Sequence, residues 1–279
     1  MMNKQMIISV LARLRLLVPA GYMRLLLHGG QWAELARDAL HPRPLDIDGA
    51  PVPPAYLRIL VSGSLDRATY LDLGRAAADS IRETLIRNGL SPEQFRTVLD
   101  FGCGVGRVIR HWPAMSSAKL HGTDYNPRMI DWNREHLRFA RFDLNQAAPP
   151  LRYGDGSFDF IYALSVLTHL PETLQHAWMR ELWRVLEPGG CLLITTHGDH
   201  HLDQLEPLQQ QRFRAGEMVV KNESVAGSNF CNAFHPQSWV RSHLVDGFTV
   251  VDFIAAGASG NPGQDIYLLK KSGLMTSKF

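Results

Sequence analysis

The stretch Val98–Trp112, VLDFGCGVGRVIRHW, sets three glycines on alternate positions straight after a short apolar run that contains an acid. Val98, Leu99 and Phe101 read as a buried strand, because a brief apolar run stopped by glycines suits a strand covered on both faces. The segment from Arg107 onward reads as a helix. A strand, a glycine turn and a helix together bring backbone close to a small ligand and aim helix N–H groups at it. An ordinary tight turn between strand and helix seldom needs three glycines in this spacing.

The third glycine chooses among ligands. A dinucleotide loop, G-x-G-x-x-G, would place it at position 107. Arg107 stands there instead, a long cation where close helix–strand packing wants no side chain, and this disfavours an NAD(P)-dependent oxidoreductase. A phosphate loop is excluded as well, since no Gly-Lys-Ser/Thr follows. What remains is D-x-G-x-G-x-G, made by Asp100, Gly102, Gly104 and Gly106. This pattern resembles motif I of the class I, Rossmann-like methyltransferases that use S-adenosyl-L-methionine.

Outward from the motif, the chain alternates short strands with helices, which implies a parallel sheet with helices on its faces. After Val98–Phe101 come Lys119–Thr123, Ala140–Leu144, Phe158–Leu164 and Cys191–Thr196. Between the last two, Leu174, Trp178, Leu182 and Leu186 recur every four residues and mark a helix whose stripe is core. Pro171 and Glu172 suit its first turn, and Glu187-Pro-Gly-Gly190 ends it. Residues 202–233 lack period and read as a loop-rich excursion. A short helix in HPQSWVRSHL and strands at Phe248–Ile254 and Gln264–Lys270, joined by a glycine-rich connection, follow it. The expected fold is α/β, a doubly wound, mostly parallel seven-stranded sheet with an antiparallel last strand, plus an N-terminal helical extension. Residues 1–60 form that extension with its Pro-rich connector at His41–Leu57, and 61–273 the methyltransferase domain.

The resemblance is fullest over roughly 95–200, through PPLRYGDGSFDFIYALSVLTHLP and LWRVLEPGGCLLITTHG, and it is to bacterial small-molecule methyltransferases. It implies that further cofactor contacts stand at the ends of successive strands. Asp124, eighteen residues past Gly106, would accept both ribose hydroxyls, and Tyr125 would lie against the adenine face. Asp100 would face the methionine ammonium, a charge-assisted partner for a buried carboxylate. Asp143 or Asn145 would meet the adenine amino group, either of them serving otherwise as a loop cap. Ser165 joins the cofactor-binding set at the end of the fourth strand.

Methyl transfer from a sulfonium is an in-line displacement, in which positioning supplies much of the rate and a base serves a hydroxyl acceptor. The Asn/Asp-Pro-Pro-Tyr of amino-methylating families is missing after the fourth strand; Leu164-Ser-Val-Leu167 stands there, followed by Thr168-His169. An oxygen acceptor on a small molecule or a glycan is therefore expected. His169 is the first candidate base and His197, ending the fifth strand, the second, each with a loop-ordering role as its alternative. Tyr70 and Tyr162 are candidate acceptor-side residues or simple packing. His197, Asp199, His200 and His201 crowd one loop without helical spacing, so no metal is expected. A cofactor-binding protein that kept the fold without transfer activity is the rival reading.

Bulk properties set the remaining expectations. The 279 residues are 45% hydrophobic and 20% charged, an ordinary globular composition. A net charge of +2 without a Lys/Arg-rich run argues against nucleic acid as partner. Cys103, Cys191 and Cys231 lie far apart with no C-x-x-C pair, which fits a reducing, cytoplasmic compartment. Arg13, Arg15 and Arg24 interrupt the apolar N-terminal stretch, so neither a membrane span nor a signal peptide is expected, although residues 1–30 suit peripheral contact.

Overall fold

The computed structural model describes residues 49–273, and the expected helices of the N-terminal extension before residue 49 lie outside them. The chain divides into two compact units, residues 1–70 and 71–279. In the first, helix α1 (Ala55–Ser62) begins inside the stretch expected to be extended, with Pro54 as its N-cap and Gly63 closing it in a left-handed turn at φ +66°. Arg58 is buried and bonds the carbonyls of Pro53 and Leu65, which satisfies the loop on either side of the helix. Helix α2 (Arg67–Arg87) starts behind Asp66, whose carboxylate accepts from Thr69 N at 2.7 Å, and runs on into the second unit.

The second unit is built on strands β1 (Thr97–Phe101), β2 (Lys119–Asp124), β3 (Ala140–Leu144), β4 (Phe158–Ala163) and β5 (Leu186–His197), with β6 (Val219–Lys221), β7 (Asn232–Phe234), β8 (Phe248–Ile254) and β9 (Gln264–Lys271) completing one sheet. Strands β3-β2-β1-β4-β5 are parallel, and β9 lies antiparallel between β5 and β8. Those seven strands are the expected sheet. The two short strands β6 and β7 are additional and arise in the segment expected to be loop, where helix α5 (Pro207–Arg214) also forms. None of these pieces is longer than eight residues, too short to leave a periodic signal.

Strand order reverses between β1 and β4, because the chain leaves β1 toward β2 and β3 and returns on the other side. Open α/β sheets bind ligands outside the strand ends at such a switch point. Helix α3 (Pro127–His136) follows β2, and helix α4 (Glu172–Val185) follows β4. Trp178, Leu182 and Leu186 of the expected stripe are buried in the main core with Leu99, Phe101, Ile161 and Leu192, and Phe101 and Trp178 stand 4.7 Å apart. Before Val245, a helical turn at Gln237–Trp239 that continues as a π turn over Val240–Leu244 matches the expected short helix.

One expected element is different. The segment from Arg107 is not an α-helix: turns fill 104–108, and a 3₁₀ helix spans Ile109–Ala114. Pro113 lacks the N–H a regular helix would need there. Arg107 itself is drawn aside, its guanidinium donating to Gly260 O at 3.0 Å and Asn261 Oδ1 at 3.1 Å in the β8–β9 connection.

Candidate active site

At the end of β1, Gly102 and Cys103 donate their N–H groups to Thr123 O at 2.8 and 2.9 Å, folding the loop against the end of β2. Gly102, at φ +77°, holds a conformation that side chains disfavour, and a Cβ there would run into Val166. Gly104, at φ +53°, turns its N–H to Asp124 Oδ2 at 2.9 Å, while Asn133 of α3 donates to its carbonyl at 2.8 Å. The other oxygen of Asp124 accepts from Asn126 N at 2.8 Å, so the carboxylate is fixed at the loop's edge. Burial raises the Asp124 pKa, opposed by these backbone donors.

Asp100 is buried beside the same loop, and its Oδ2 has no hydrogen-bond partner. Burial pushes its pKa up to about 7, with the Tyr162 hydroxyl and the Arg107 guanidinium opposing the shift and Asp124 adding to it. A buried carboxylate with an idle oxygen is suited to a cationic partner, and binding one would restore its charge. Tyr162 is itself fully buried and stacked on Trp112 at 5.7 Å, a core position, not an exposed acceptor contact.

The adenine-side candidates separate. Asp143 is engaged, accepting from Tyr153 Oη at 3.0 Å and paired with Arg141 at 3.3 Å. Asn145 stands next to Asp124, donating its N–H to Asp124 O at 3.1 Å, and its buried Oδ1 is unpartnered. Tyr125 is 47% exposed and reaches sideways to donate its hydroxyl to Gly227 O at 2.9 Å. The same Gly227 donates its N–H to His169 O at 2.7 Å. Because β1 lies between β2 and β4, the loop around Gly227 bridges across the mouth of the glycine loop.

The end of β4 gathers the remaining candidates. Ser165 follows the strand at φ +57°, a strained conformation of the kind that collects at functional sites, and its N–H is held by Thr195 Oγ1 at 2.7 Å. His169 closes the next 3₁₀ turn, Leu167–His169. Its Nδ1 lies 2.8 Å from Cys231 O and, since a carbonyl only accepts, carries the proton. Nε2 is thereby left with its lone pair, 3.4 Å from Ser165 Oγ. Burial lowers the His169 pKa, with the Cys231 carbonyl opposing, so the ring is neutral near pH 7.

His197 ends β5 and is buried with both nitrogens occupied: Nδ1 donates to Ala233 O at 3.2 Å and Nε2 accepts from Gln264 Nε2 at 3.2 Å. Burial, with His201, His235 and His169 as further causes, pushes it down to about 3. His169 and His197 lie 6.4 Å apart, and His201 packs tilted against His197 at 4.4 Å. Among the described residues no group of three or more His, Cys, Asp or Glu side chains is disposed to hold a metal ion.

Sequence reasoning missed the residues that complete this end. Phe234 of β7 pairs with His197 on the edge that β4 vacates beyond Ala163, so the 198–247 excursion returns to the sheet directly above Ser165. His235, wholly buried, donates to Gln175 Oε1 at 3.0 Å from its Nε2. Gln264 enters because β9 pairs antiparallel with β5 in a register that sets it opposite His197. The trace in the sequence is a polar pair, Gln264-Asp265, placed ahead of the apolar run Ile266–Leu269.

Known proteins bear on this geometry. Methyltransferase GfsG of Streptomyces halstedii is 37% identical over 103 residues, 35% of this chain and 36% of that protein. Cycloartenol-C-24-methyltransferase of Arabidopsis thaliana is 29% identical over 130 residues (42% and 38%), and tRNA N(3)-methylcytidine methyltransferase Mettl2 of Drosophila melanogaster 27% over 161 residues (54% and 48%). The chain thus spans less than half the length of each. Among solved structures, a SAM-dependent methyltransferase from Methanosarcina mazei superposes at TM-score 0.51 and 21% identity, covering 68% of this chain and 97% of that one. The PH0226 protein of Pyrococcus horikoshii superposes at 0.54 and 20% identity, covering 73% and 95%; both are likenesses of fold. Among the described residues no helix is long and apolar enough to cross a membrane. The family model described as a methyltransferase domain takes in residues 73–251, well over half of the sequence, and by that extent the chain belongs to this family of class I enzymes, whose cofactor is S-adenosyl-L-methionine.

Proposed function

We propose that this methyltransferase acts on a hydroxyl oxygen of a small molecule or a glycan, with His169 as the base. The observation that carries the reading is the His169 ring itself. Its Nδ1–H is committed to Cys231 O, it is held neutral by burial, and its Nε2 lone pair is presented at the end of β4 beside the switch point. A hydroxyl loses a proton on methylation, and a neutral imidazole can take it. Two of the relatives named above carry a carbon or a nitrogen acceptor in their names, so the family does not choose the atom, and the His169 geometry is what supports oxygen. A net charge of +2 with no basic run favours a small acceptor over a nucleic acid.

S-Adenosylmethionine supplies an activated methyl group on sulfur. In this reading Asp100 holds its ammonium with the idle Oδ2, and Gly102, Gly104 and Gly106 let the backbone approach its methionine portion. Asp124 takes the ribose hydroxyls, and Asn145 accepts from the adenine amino group through its unpartnered Oδ1. Asp143 stands behind, tied to Tyr153. Tyr125 packs along the adenine while its hydroxyl holds Gly227. Ser165 borders the reactive end, and His197 supports that end without taking a proton, since both its nitrogens are in use.

The test is a screen of hydroxyl-bearing acceptors with radiolabelled methyl donor, followed by His169→Gln on the acceptor found. Turnover should fall about 10²–10⁴-fold, the usual worth of a general base, with cofactor affinity unchanged. Turnover near the wild-type rate would leave His169 as a loop-ordering residue and end the base assignment.

A further inference from the structure

The hydrogen bonds behind Ser165 have a polarity fixed at both ends by backbone atoms. At one end the Ser165 N–H only donates, so Thr195 Oγ1 accepts from it at 2.7 Å and keeps its own proton for another partner. It sends it to Gln264 Oε1, 2.7 Å away. That orients the Gln264 amide, whose NH₂ then faces Ser165 Oγ at 2.9 Å and His197 Nε2 at 3.2 Å. At the other end the Ala233 carbonyl only accepts, so His197 must carry its proton on Nδ1 and offer Nε2 to Gln264. The two ends agree: the His197 tautomer fixes which way the Gln264 amide faces, and Thr195 donates to the oxygen so presented.

We propose that Gln264 is a positioning residue for methyl transfer, which donates to Ser165 Oγ from behind and so commits the Ser165 hydroxyl to donate forward. Forward of Ser165 stand Thr168 Oγ1 at 3.2 Å and His169 Nε2 at 3.4 Å. Gln264 does not itself meet the acceptor. It is buried, both amide hydrogens and the amide oxygen are spent, and its influence on the reacting end passes through Ser165. The Ser165 backbone needs this support, since a left-handed serine persists only where its surroundings over-determine it. Thr195 holds the N–H of that residue, Gln264 holds its hydroxyl, and both come from neighbouring strands, β5 and β9. The proposal rests on the reading of His169 as base, because it is the base's lone pair that the Ser165 hydroxyl faces.

The chemistry of the surroundings matches. Around this chain the titratable groups are His169 after β4, His197 at the end of β5, His201 beyond it and His235 after β7. Burial lowers the pKa of all four. A glutamine can hold neutral imidazoles and hydroxyls in one polarity without adding charge. A glutamate of the same shape would accept from Ser165 and would require a proton on His197 Nε2.

The experiment is ¹⁵N-histidine NMR on the full chain with S-adenosylhomocysteine bound, comparing the wild type with Gln264→Leu and Gln264→Glu. In the wild type, His169 and His197 should both show the Nδ1–H tautomer. Gln264→Leu keeps the volume and removes the donors, so the His197 Nε2 and His169 Nε2 resonances should both move, with S-adenosylhomocysteine affinity unchanged. A residue that merely packs would leave His169 unmoved. Gln264→Glu should protonate His197 near neutral pH and raise the His169 pKa by about one unit or more, as an added carboxylate does to a nearby imidazole. Should the Leu variant fail to fold, the Glu variant decides alone. Unchanged His169 resonances overturn the proposal, whatever His169→Gln does to turnover. Conversely, turnover surviving in His169→Gln removes the base while leaving the tautomers of the wild type as stated.

Discussion

The ends of β1 and β2 and the ends of β4 and β5 share one edge of the sheet, yet they are assembled from different distances along the chain. In the half proposed to hold cofactor, Gly104 meets Asp124 and Asn133 across separations of 20 and 29 residues. In the acceptor half, His169 meets Cys231 across 62, Thr195 meets Gln264 across 69, and Ser165 meets Gln264 across 99. One half is built on a local motif, tied to remote segments at its margin through Tyr125 and Arg107, and the other is a convergence of remote segments. The cofactor half also relies on buried carboxylates, and the acceptor half on buried neutral imidazoles.

The strongest way to break this division is at Gly102, where the halves touch. A Cβ there meets Val166, just past β4, and the residue sits at φ +77°. Gly102→Val should combine backbone strain of about 1–3 kcal/mol with overpacking of about 1–3 kcal/mol. Melting curves should show a lower Tm and no further rise on adding S-adenosylhomocysteine. A variant that is still stabilised by the ligand as before would separate the loop from the cofactor.

Acid should drive the halves in opposite directions. His197 and His235 are pushed down to about 3, so the unfolded chain takes up protons below about pH 6.5 while the folded one does not. Their contribution is complete above pH 6.5 and is lost progressively as pH falls toward 3, at up to about 1.4 kcal/mol per group per unit. Asp265 in the same half has a raised pKa and opposes them in part. In the cofactor half, Asp100 near 7 and the raised Asp124 bind protons more readily when folded, so acidification favours that half in the absence of ligand. Amide exchange measured at pH 7.5 and 5.5 should show residues 226–236 losing protection while 98–106 hold or gain it. Parallel loss in both would mean the two halves open together.

Asp124→Ala sharpens the comparison on the cofactor side alone. Loss of a charged acceptor should cost about 1–3 kcal/mol of S-adenosylmethionine affinity by calorimetry, and should leave the His169 resonances where they were. The smallest effect is expected at Tyr125→Phe, which removes one half-exposed hydrogen bond to Gly227 worth about 0.5–1.5 kcal/mol. Its readout is faster S-adenosylhomocysteine dissociation, since the bridge across the glycine loop loses one of its two anchors. An unchanged off-rate would mean that the His169 anchor suffices.

How much of this was legible follows from the same distances. The glycines and Asp124 could be singled out together as candidates because Gly104 and Asp124 lie within one strand–turn–strand unit, where spacing carries the geometry. His169 could be placed as a candidate by standing just past a strand end, but its tautomer could not, because the Cys231 carbonyl that sets it arrives from a segment with no period of its own. Gln264 gave no local sign of its role; only the antiparallel register of β9 against β5 brings it to His197. The expected helix at Arg107 failed for the converse reason, since a long-range clasp to Gly260 and Asn261 and the proline at 113 outweigh local propensity.

Strand β9 comes last among the described elements, yet it is wedged in the sheet between β5 and β8, paired with β5 from Cys191 to His197. A nascent chain can therefore close the first five strands early, but the sheet waits for residues 264–271 before it is whole. Non-local pairing of this kind slows folding, since the loop must be closed before the contact rewards it. Because Gln264 rides on that strand, the hydrogen bond to Ser165 Oγ requires the same strand that completes the sheet. A chain interrupted before β9 would contain the residues of the glycine loop and Asp124 but would lack the Gln264 amide behind Ser165. The last described strand to be synthesised thus carries both the closing pairing of the sheet and the amide behind Ser165.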